Sequence, residues 1–358
     1  YIFFAFKGNN TNGNFFIKDA IRNGSKIIIS DKFKTNNWKN NILFLKNDNP
    51  RNLLAKFSTK IFNKKPNNLI GITGTNGKSS IANFYFQILT YNRIKAASIG
   101  TLGVNGLKLK KKFLNTTFDT IKINKILKKL KEKKIDNVIL EASSHGLHQN
   151  RLDGIKFDIG IFTNLTRDHL DYHKTFWNYY NSKLILFNRL MKKKSYAIYD
   201  ETQKISSNLN RVTKLNNIKQ LTIGNNKTSF KITNHQFLKD EQIVTFKFKN
   251  KKYSFSTKLI GKVQVKNLLM AIMAATKSKL SLKKIVKIIK KIKPVNGRLE
   301  KVGRLYNNGI VILDYAHTPD ALATCIKNVK EQFKLRKISV VFGCGGERDK
   351  PKRKIMGR

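Results

Sequence analysis

Short apolar runs alternate with longer segments of helical periodicity over the middle of the chain. Each run is followed by a stretch in which apolar residues recur every three or four positions. The clearest runs are Leu69–Thr73, Val138–Leu140, Asp158–Phe162 and Tyr196–Tyr199. Strands that alternate with helices in this way predict an α/β fold, in which a parallel sheet carries helices on both faces.

The pattern differs on both sides of this central region. Before Pro66, a strand at the start of the chain, a Gly/Asn-rich turn, a helix at Ile17–Arg22 and a strand at Lys26–Ser30 predict a small first unit. After the central strands, Lys227–Lys258 alternates between apolar and polar residues like an antiparallel meander. Val265–Lys277 then has the periodicity of a helix.

A second α/β unit is predicted after Pro294, with strands at Ile310–Leu313 and Ser339–Phe342. We therefore divide the chain into three domains, at 1–66, 67–293 and 294–358. The sequence starts without Met and ends soon after a glycine-rich segment, GCGGERD. We interpret it as a fragment of a longer protein.

The composition adds a strong positive charge. The 358 residues include 72 Lys and Arg against 21 Asp and Glu, which gives a formal net charge of +51. The lysines are spread over the whole chain, whereas nucleic-acid-binding proteins usually concentrate them on one face or tail. Lys, Asn, Ile and Phe are all abundant and all have AT-rich codons, so a biased genome explains the excess better than a functional basic surface. The densest run, Lys122–Lys134, is typical of an amphipathic helix with a solvated lysine face.

Other features exclude further classes of protein. Hydrophobic residues make up 40% of the chain, enough to form cores. The longest apolar run, Leu268–Ala275, has eight residues, far short of the ~20 that a membrane helix needs. Cys325 and Cys344 cannot form a disulfide framework or a cysteine-rich zinc site, which favours a reducing cytoplasm. We expect a cytoplasmic monomer without a membrane or nucleic-acid partner.

The strongest chemical signal is GITGTNGKSS, which follows a predicted strand and opens a predicted helix. Glycines let the backbone wrap closely around phosphates, and a helix N-terminus favours an anion. Lys78 is expected to reach the β- and γ-phosphates of ATP, and Ser79 to bind Mg²⁺. The literal P-loop pattern has glycine where this chain has Ile72. ATP binding nevertheless explains the segment better than an accidental glycine turn.

Three segments rich in carboxylates and imidazoles follow predicted strands. They are ILEASSHGLHQNR from Ile139, FTNLTRDHLDYH from Phe162 and DYAHTPDAL from Asp314. Open α/β sheets bind ligands at the carboxyl ends of their strands. A single buried Glu or His is more often structural, but three such segments beside one P-loop favour a site for a divalent cation.

Together these motifs resemble the Mur ligases of bacterial peptidoglycan synthesis. The resemblance rests on TGTNGKSS, EASSHGL, FTNLTRDHLDYH, GRLE, DYAHTPDAL and FGCGGERDK, and it extends over essentially the whole chain. It implies a partial N-terminal UDP-sugar-binding domain, a central ATP-binding ligase domain and the start of a Rossmann-like C-terminal domain. Within the family, the chain is most similar to the ligases that add the third amino acid of the stem peptide.

The resemblance also implies a reaction and its participants. ATP phosphorylates the D-glutamate side-chain carboxylate of UDP-N-acetylmuramoyl-L-Ala-D-Glu, and the amine of a diamino acid attacks the acyl phosphate. Mg²⁺ is the expected cofactor. We favour meso-diaminopimelate over L-lysine only because it is commoner among bacteria.

Two other functions remain as alternatives. A ligase like folylpolyglutamate synthase is disfavoured by SSHGL and DYAHTPDAL, and a basic nucleic-acid-binding P-loop ATPase by the lack of an aromatic-studded basic platform.

Family positions map onto this chain residue by residue. By resemblance, the catalytic residues are Lys78, His169, Asp314 with its neighbour His317, and Lys183, the last carbamylated by CO₂. The nucleotide-binding residues are Gly74, Thr75, Asn76, Gly77, Lys78, Ser79, Ser80, Asn267 and Arg298. The residues for the sugar peptide and the amino acid are Thr116, Thr117, Ser143, Gln149, Arg151 and Arg348. One Mg²⁺ is expected on Ser79 and Glu141, and a second on His169 and carbamylated Lys183. On composition alone, Lys183 is one lysine among many.

One motif is misleading. Asp48–Arg51 spells DNPR, which selects meso-diaminopimelate when it occurs in the C-terminal domain of this family. Here it precedes the P-loop, where relatives start a helix with a matching arginine. We interpret this copy as a coincidence.

Overall fold

The computed structural model describes residues 1–8, 11–107, 115–227, 229–238, 240–343 and 352–357. The first unit is a four-stranded sheet in the order β1-β2-β4-β3, in which only β3 runs antiparallel to its neighbour. Its strands are β1 (Ile2–Ala5), β2 (Ile27–Ser30), β3 (Asn37–Lys39) and β4 (Ile42–Lys46). Its helices are α1 (Ile17–Arg22) and α2 (Pro50–Ile61).

The central unit is built on a ten-stranded sheet. Its strands are β5 (Asn68–Thr73), β6 (Ala96–Gly100), β7 (Gly103–Asn105), β8 (Asn137–Glu141), β9 (Phe157–Phe162), β10 (Met191–Asp200), β11 (Lys219–Ile223), β12 (Ser229–Phe237), β13 (Gln242–Phe248) and β14 (Lys251–Thr257). The spatial order is β14-β13-β12-β11-β10-β9-β5-β8-β6-β7. All neighbours from β12 to β6 pair in parallel, whereas β13, β14 and β7 pair antiparallel. The predicted parallel sheet and its antiparallel meander are both confirmed.

Helices cover both faces of this sheet. They are α3 (Lys78–Tyr91), α4 (Thr120–Glu132), α5 (Ser144–His148), α6 (Leu170–His173), α7 (Phe176–Ile185), α8 (Ser206–Leu215), α9 (Lys262–Thr276) and α10 (Leu282–Ile288). Ile70 and Ile72 pack into the core under α3 and α9, whereas Leu69 faces the opposite core under α4. Successive residues of one strand thus point to different cores. The apolar run Leu268–Ala275 lies in α9 and is buried. Within the described residues, none of the helices combines the length and apolarity needed to cross a bilayer.

The last unit contains a β-hairpin of β15 (Glu300–Arg304) and β16 (Ile310–Leu313), helix α11 (Pro319–Gln332) and helix α12 (Lys352–Gly357). The strand predicted at Ser339–Phe342 is wrong, because this segment joins no sheet in the described part of the chain. Val341 is fully exposed there. An apolar run becomes a strand only where a neighbouring strand pairs with its backbone.

Candidate active site

The glycine-rich loop connects β5 to α3. Gly74 and Gly77 have φ angles of +136° and +88°, which L-residues with side chains rarely adopt. A Cβ atom on Gly74 would lie 1.9 Å from Thr163 Oγ1, and one on Gly77 would lie 2.7 Å from Asn267 Oδ1. Ile72 occupies the position at which the P-loop pattern has its first glycine, and it is fully buried inside β5. This position therefore lies in the strand and not in the turn. The amides of the first turn of α3 have no partner within the helix and can bind an anion.

Two lysines converge on this loop. Lys78 Nζ donates to the carbonyl oxygens of Gly74 and Thr75, at 2.9 and 2.8 Å. Lys183 Nζ, on α7, donates to the same Gly74 oxygen at 2.8 Å and lies 4.2 Å from the ring centroid of Tyr179. Lys183 is only 1% exposed, and burial, together with the charge of Lys78, holds its pKa well below the usual range. Burial therefore shifts Lys183 toward its neutral amine form.

Glu141 lies at the carboxyl end of β8, beside the start of α3, and is 2% exposed. Ser79 Oγ donates to Glu141 Oε2 at 3.2 Å. Thr101 donates its amide to Oε1 and its hydroxyl to Oε2, both at 3.1 Å. Burial raises the pKa of Glu141, although these donors and the Lys78 charge oppose the shift. Sequence reasoning missed Thr101, whose signal is only that it follows a strand next to β8 in the sheet.

Aromatic and imidazole rings cluster beside α6. His169 has a φ of +53° at the start of α6, and its Nε2 lies 3.5 Å from Asp168 Oδ2. The His145 ring packs against His169 and Tyr172, with centroid distances of 4.8 and 4.2 Å. Burial lowers the pKa of His169, and it lowers the pKa of His145 and of His173 to about 4. These imidazoles are therefore neutral at pH 7. Within the part of the chain that the structure covers, no three His, Cys, Asp or Glu side chains are grouped to hold a metal.

The hydroxyl residues predicted to bind substrate come together next to Glu141. Thr117 Oγ1 donates to the Glu141 carbonyl at 2.8 Å and accepts from the Ser143 amide at 2.9 Å. Thr116 Oγ1 lies 3.1 Å from Thr101 Oγ1. These contacts place Thr116, Thr117 and Ser143 beside Glu141, near the phosphate loop.

The amide and guanidinium predicted to bind substrate extend this cluster. Arg151 donates through Nη2 to Gln149 Oε1 at 2.6 Å and through Nη1 to the Thr117 carbonyl at 2.5 Å. Gln149 Nε2 donates to the Tyr172 hydroxyl at 3.1 Å, and His148 Nδ1 lies 2.9 Å from the same oxygen. Tyr172 and His148 are further residues of this cluster that the sequence did not single out.

A cleft of about 250 Å³ opens between the phosphate loop and the last unit. Gln264 Nε2 donates to the Arg298 carbonyl at 3.1 Å, and its Oε1 accepts from Asn267 Nδ2 at 3.2 Å. The Arg298 guanidinium lies 4.6 Å from the centroid of the Tyr315 ring. Asp314 Oδ2 accepts from the Leu299 amide at 2.8 Å. Of the predicted nucleotide residues, Asn76, Gly77, Ser80, Asn267 and Arg298 line this cleft, and Gln264 lines it with them.

Three other predicted residues have different outcomes. Burial raises the pKa of the Asp314 carboxyl, which lines the cleft. His317 turns back on its own segment, with Nδ1 3.0 Å from the Tyr315 carbonyl oxygen. Arg348 lies outside the described residues.

The DNPR segment forms the start of α2, as we expected. Asn49 Oδ1 accepts from the Asn52 amide at 3.0 Å, and Pro50 occupies the first turn. Both are ordinary helix-start features.

Comparison with known proteins identifies the family of this chain. Residues 72–275 match the Mur ligase middle domain, and residues 297–358 match the Mur ligase, glutamate ligase domain. The UDP-N-acetylmuramoyl-L-alanyl-D-glutamate--2,6-diaminopimelate ligase of Rickettsia montanensis is 38% identical over 363 residues, which cover 100% of this chain and 74% of that protein.

Solved structures extend the comparison. A structure of a UDP-N-acetylmuramoyl-L-alanyl-D-glutamate--2,6-diaminopimelate ligase aligns with a TM-score of 0.77 at 27% identity, covering 99% of this chain and 72% of that one. Folylpolyglutamate synthase of Mycobacterium tuberculosis, complexed with ADP and AMPPCP, aligns with a TM-score of 0.64 at 15% identity. The alignment covers 79% of this chain and 70% of the synthase chain, and the likeness concerns the fold alone. The chain belongs to the Mur ligase family.

Proposed function

We propose that this chain joins an amine of 2,6-diaminopimelate to the D-glutamate side-chain carboxylate of UDP-N-acetylmuramoyl-L-Ala-D-Glu, using ATP. The names of the relatives at 38% and 27% identity support this substrate pair over L-lysine. The observation that carries the proposal is the site itself. A buried carboxylate, Glu141, and a buried lysine, Lys183, each lie within hydrogen-bond distance of the phosphate-loop segment.

ATP fits the loop and the adjoining cleft. The loop amides and Lys78 suit the phosphates, and Asn267 and Arg298 suit the rest of the nucleotide. Burial lowers the pKa of Lys78, and a bound polyphosphate favours its charged form again.

Mg²⁺ fits Ser79 and Glu141. The Glu141 carboxylate is buried, and the donors that reach it in the described structure are neutral hydroxyl and amide groups. A cation would balance its charge, and Mg²⁺ typically takes one or two carboxylates together with substrate phosphates. When bound, the ion supplies charge neutralisation at the phosphates.

The second predicted Mg²⁺ requires a modified Lys183. An ammonium would repel a cation, whereas the neutral amine favoured by burial can attack CO₂. The nitrogen–carbon bond forms, a proton leaves the nitrogen, and an anionic carbamate results. That carbamate and the neutral His169 imidazole are the groups we assign to the second ion.

The chain's own residues then position the reacting groups. A substrate carboxylate oxygen bonds to the γ-phosphorus while the bond to ADP breaks. The amine nitrogen next attacks the acyl carbon, loses a proton, and phosphate leaves. Thr116, Thr117, Ser143 and Arg151 offer donors that hold the sugar peptide, so that most of the acceleration comes from orientation and charge neutralisation.

Phosphate release tests the proposal. It is expected only when ATP, UDP-N-acetylmuramoyl-L-Ala-D-Glu and diaminopimelate are all present, since the acyl phosphate needs both an acceptor and a nucleophile. Turnover with a folate and glutamate instead would favour the folylpolyglutamate synthase alternative. Stimulation by nucleic acid without the sugar peptide would favour the nucleic-acid-dependent ATPase.

A further inference from the structure

Arg51, the last residue of the DNPR segment, contacts the residues that follow β1 of the first sheet. Its Nη2 donates to the Lys7 carbonyl at 2.7 Å, and its guanidinium carbon lies 4.5 Å from the centroid of the Phe6 ring. The side chain is half-buried, and burial lowers its pKa. The arginine is therefore held in a fixed orientation and is not free in solvent.

The start of α2 is attached to the segment that carries Arg151. Asn52 Nδ2 donates to Asp153 Oδ2, and Asn49 Nδ2 lies 3.5 Å from Asn150 Oδ1. Asp153 is 3% exposed and also pairs with Arg189 at 2.8 Å. Residues on both sides of Arg51 thus contact residues on both sides of Arg151. The two guanidiniums belong to one junction between the first and central units.

This junction has two cations and a shortage of anions. Among the described residues, no carboxylate lies within ion-pair distance of Arg51 or Arg151, and their acceptors are carbonyl and amide oxygens. Burial lowers the pKa of Arg151, and the charge of Arg51 adds to this effect. The charge of Asp119 opposes this lowering of the Arg151 pKa from a distance. The Asp119 carboxylate itself accepts a hydrogen bond from the Lys122 amide at the start of α4. Two half-buried guanidiniums favour a bound anion of two charges.

A series of contacts leads from the phosphate loop to this junction. Ser79 donates to Glu141, the Glu141 carbonyl accepts from Thr117, and the Thr117 carbonyl accepts from Arg151. Arg51 follows on the side of the first sheet. Because the predicted substrate residues Thr117 and Arg151 belong to this series, we expect a substrate whose reacting carboxylate lies at the phosphate loop to extend along it, with its nucleotide end toward Arg51.

We propose that Arg51 binds a diphosphate oxygen of the nucleotide-sugar substrate, on the side of Arg151 away from the reaction. The proposal rests on the proposed function. It assigns the DNPR arginine to substrate binding and gives it no part in selecting the amino acid. Guanidiniums suit this task because they donate in a planar fork that matches phosphate oxygens.

Calorimetric titration of the chain with two probes tests this assignment. The probes are UDP-N-acetylmuramoyl-L-Ala-D-Glu and UDP alone, which shares only the nucleotide end. Arg51→Gln retains packing against Phe6 but removes the charge, and it is expected to weaken both ligands roughly tenfold or more. Lys56→Gln, an exposed lysine on the same helix, is the matched control and is expected to change neither affinity. Thermal unfolding of each variant verifies that it is folded.

The outcomes separate this inference from the proposed function. An equal loss of affinity for both probes supports a contact between Arg51 and the diphosphate. Weakening of the sugar peptide alone assigns Arg51 to a carboxylate and overturns the proposal. Unchanged affinities in a folded Arg51→Gln variant overturn it as well. A wild-type chain that binds neither probe contradicts the proposed function, whatever the variants do.

Discussion

Gly100→Ala is expected to damage the site through a single added methyl group. Gly100 ends β6, next to the strand that carries Glu141, and its φ angle is not in the left-handed region. A Cβ atom there would lie 2.2 Å from Glu141 Oε1 and 2.5 Å from Cδ and Cγ. Because all three atoms belong to the carboxylate side chain, the carboxylate must move by about 1 Å to reach ordinary contact distance.

That movement has a cost in stability and a larger one in activity. The carboxylate would lose its bonds from Ser79 Oγ and the Thr101 amide, at 3.2 and 3.1 Å. Hydrogen bonds to charged groups contribute roughly 1.5–3 kcal/mol each, so the loss of two lowers the free energy of unfolding by about 3–6 kcal/mol. Misplacement of a catalytic group by about 1 Å can lower kcat by about 100-fold.

ADP release measured against Mg²⁺ concentration checks this expectation. If Glu141 holds the ion, Gly100→Ala raises the Mg²⁺ requirement as well as lowering kcat. Gly303→Ala is the matched control, since Gly303 also lies in a strand and its added Cβ would meet nothing within 4 Å. A Gly100→Ala variant with the activity and Mg²⁺ dependence of Gly303→Ala would refute the assignment of Glu141.

Three further predictions concern charged groups of the site. Lys78→Ala should abolish ADP release without lowering the melting temperature appreciably, because the lysine acts on phosphate charge; undiminished turnover would contradict the P-loop assignment. Lys183→Ala should lose most activity and regain part of it with added acetate, whereas Lys183→Arg should not be rescued; near-wild-type Lys183→Ala would exclude the carbamate. Burial lowers the pKa of His173 to about 4, so the folded state favours the neutral imidazole. Folding is therefore not opposed by this group above pH 6.5, its ordinary pKa, and stability is lost as the pH falls from there toward 4. Chemical unfolding should show that His173→Leu loses about 2 kcal/mol less than the wild type over that range, because the contribution of His145 remains in both proteins.

The phosphate loop and the strands around it are determined by local sequence. Glycines at 74 and 77 are required by backbone conformation, and the apolar runs of β5, β8 and β9 are buried on both faces. In a parallel sheet, the carboxyl ends of the strands meet at one edge. The order of strands and helices along the chain was therefore enough to place the segments after those strands beside the loop.

Other features depend on residues far apart in the chain. The strand β10 begins at Met191, five residues before its predicted start. Its pairing with β9 is irregular between Met191 and Tyr196, and the strand there includes three exposed lysines that the apolar pattern does not predict. Ser339–Phe342 has the apolar pattern of a strand but no neighbour to pair with among the described residues. Apolar periodicity indicates which face of a segment could be buried, whereas pairing with a neighbouring strand decides whether the segment forms a strand.

The tertiary structure alone decided the chemistry of the side chains. In the sequence, Lys183 is one of many lysines; in the fold, it is buried against Gly74 and Tyr179 with a strongly lowered pKa. Thr101 and Gln264 carry no motif, yet they hold Glu141 and connect Asn267 to Arg298. Local sequence specifies backbone conformation and the face that a residue occupies, but burial and electrostatic environment arise from contacts between distant segments.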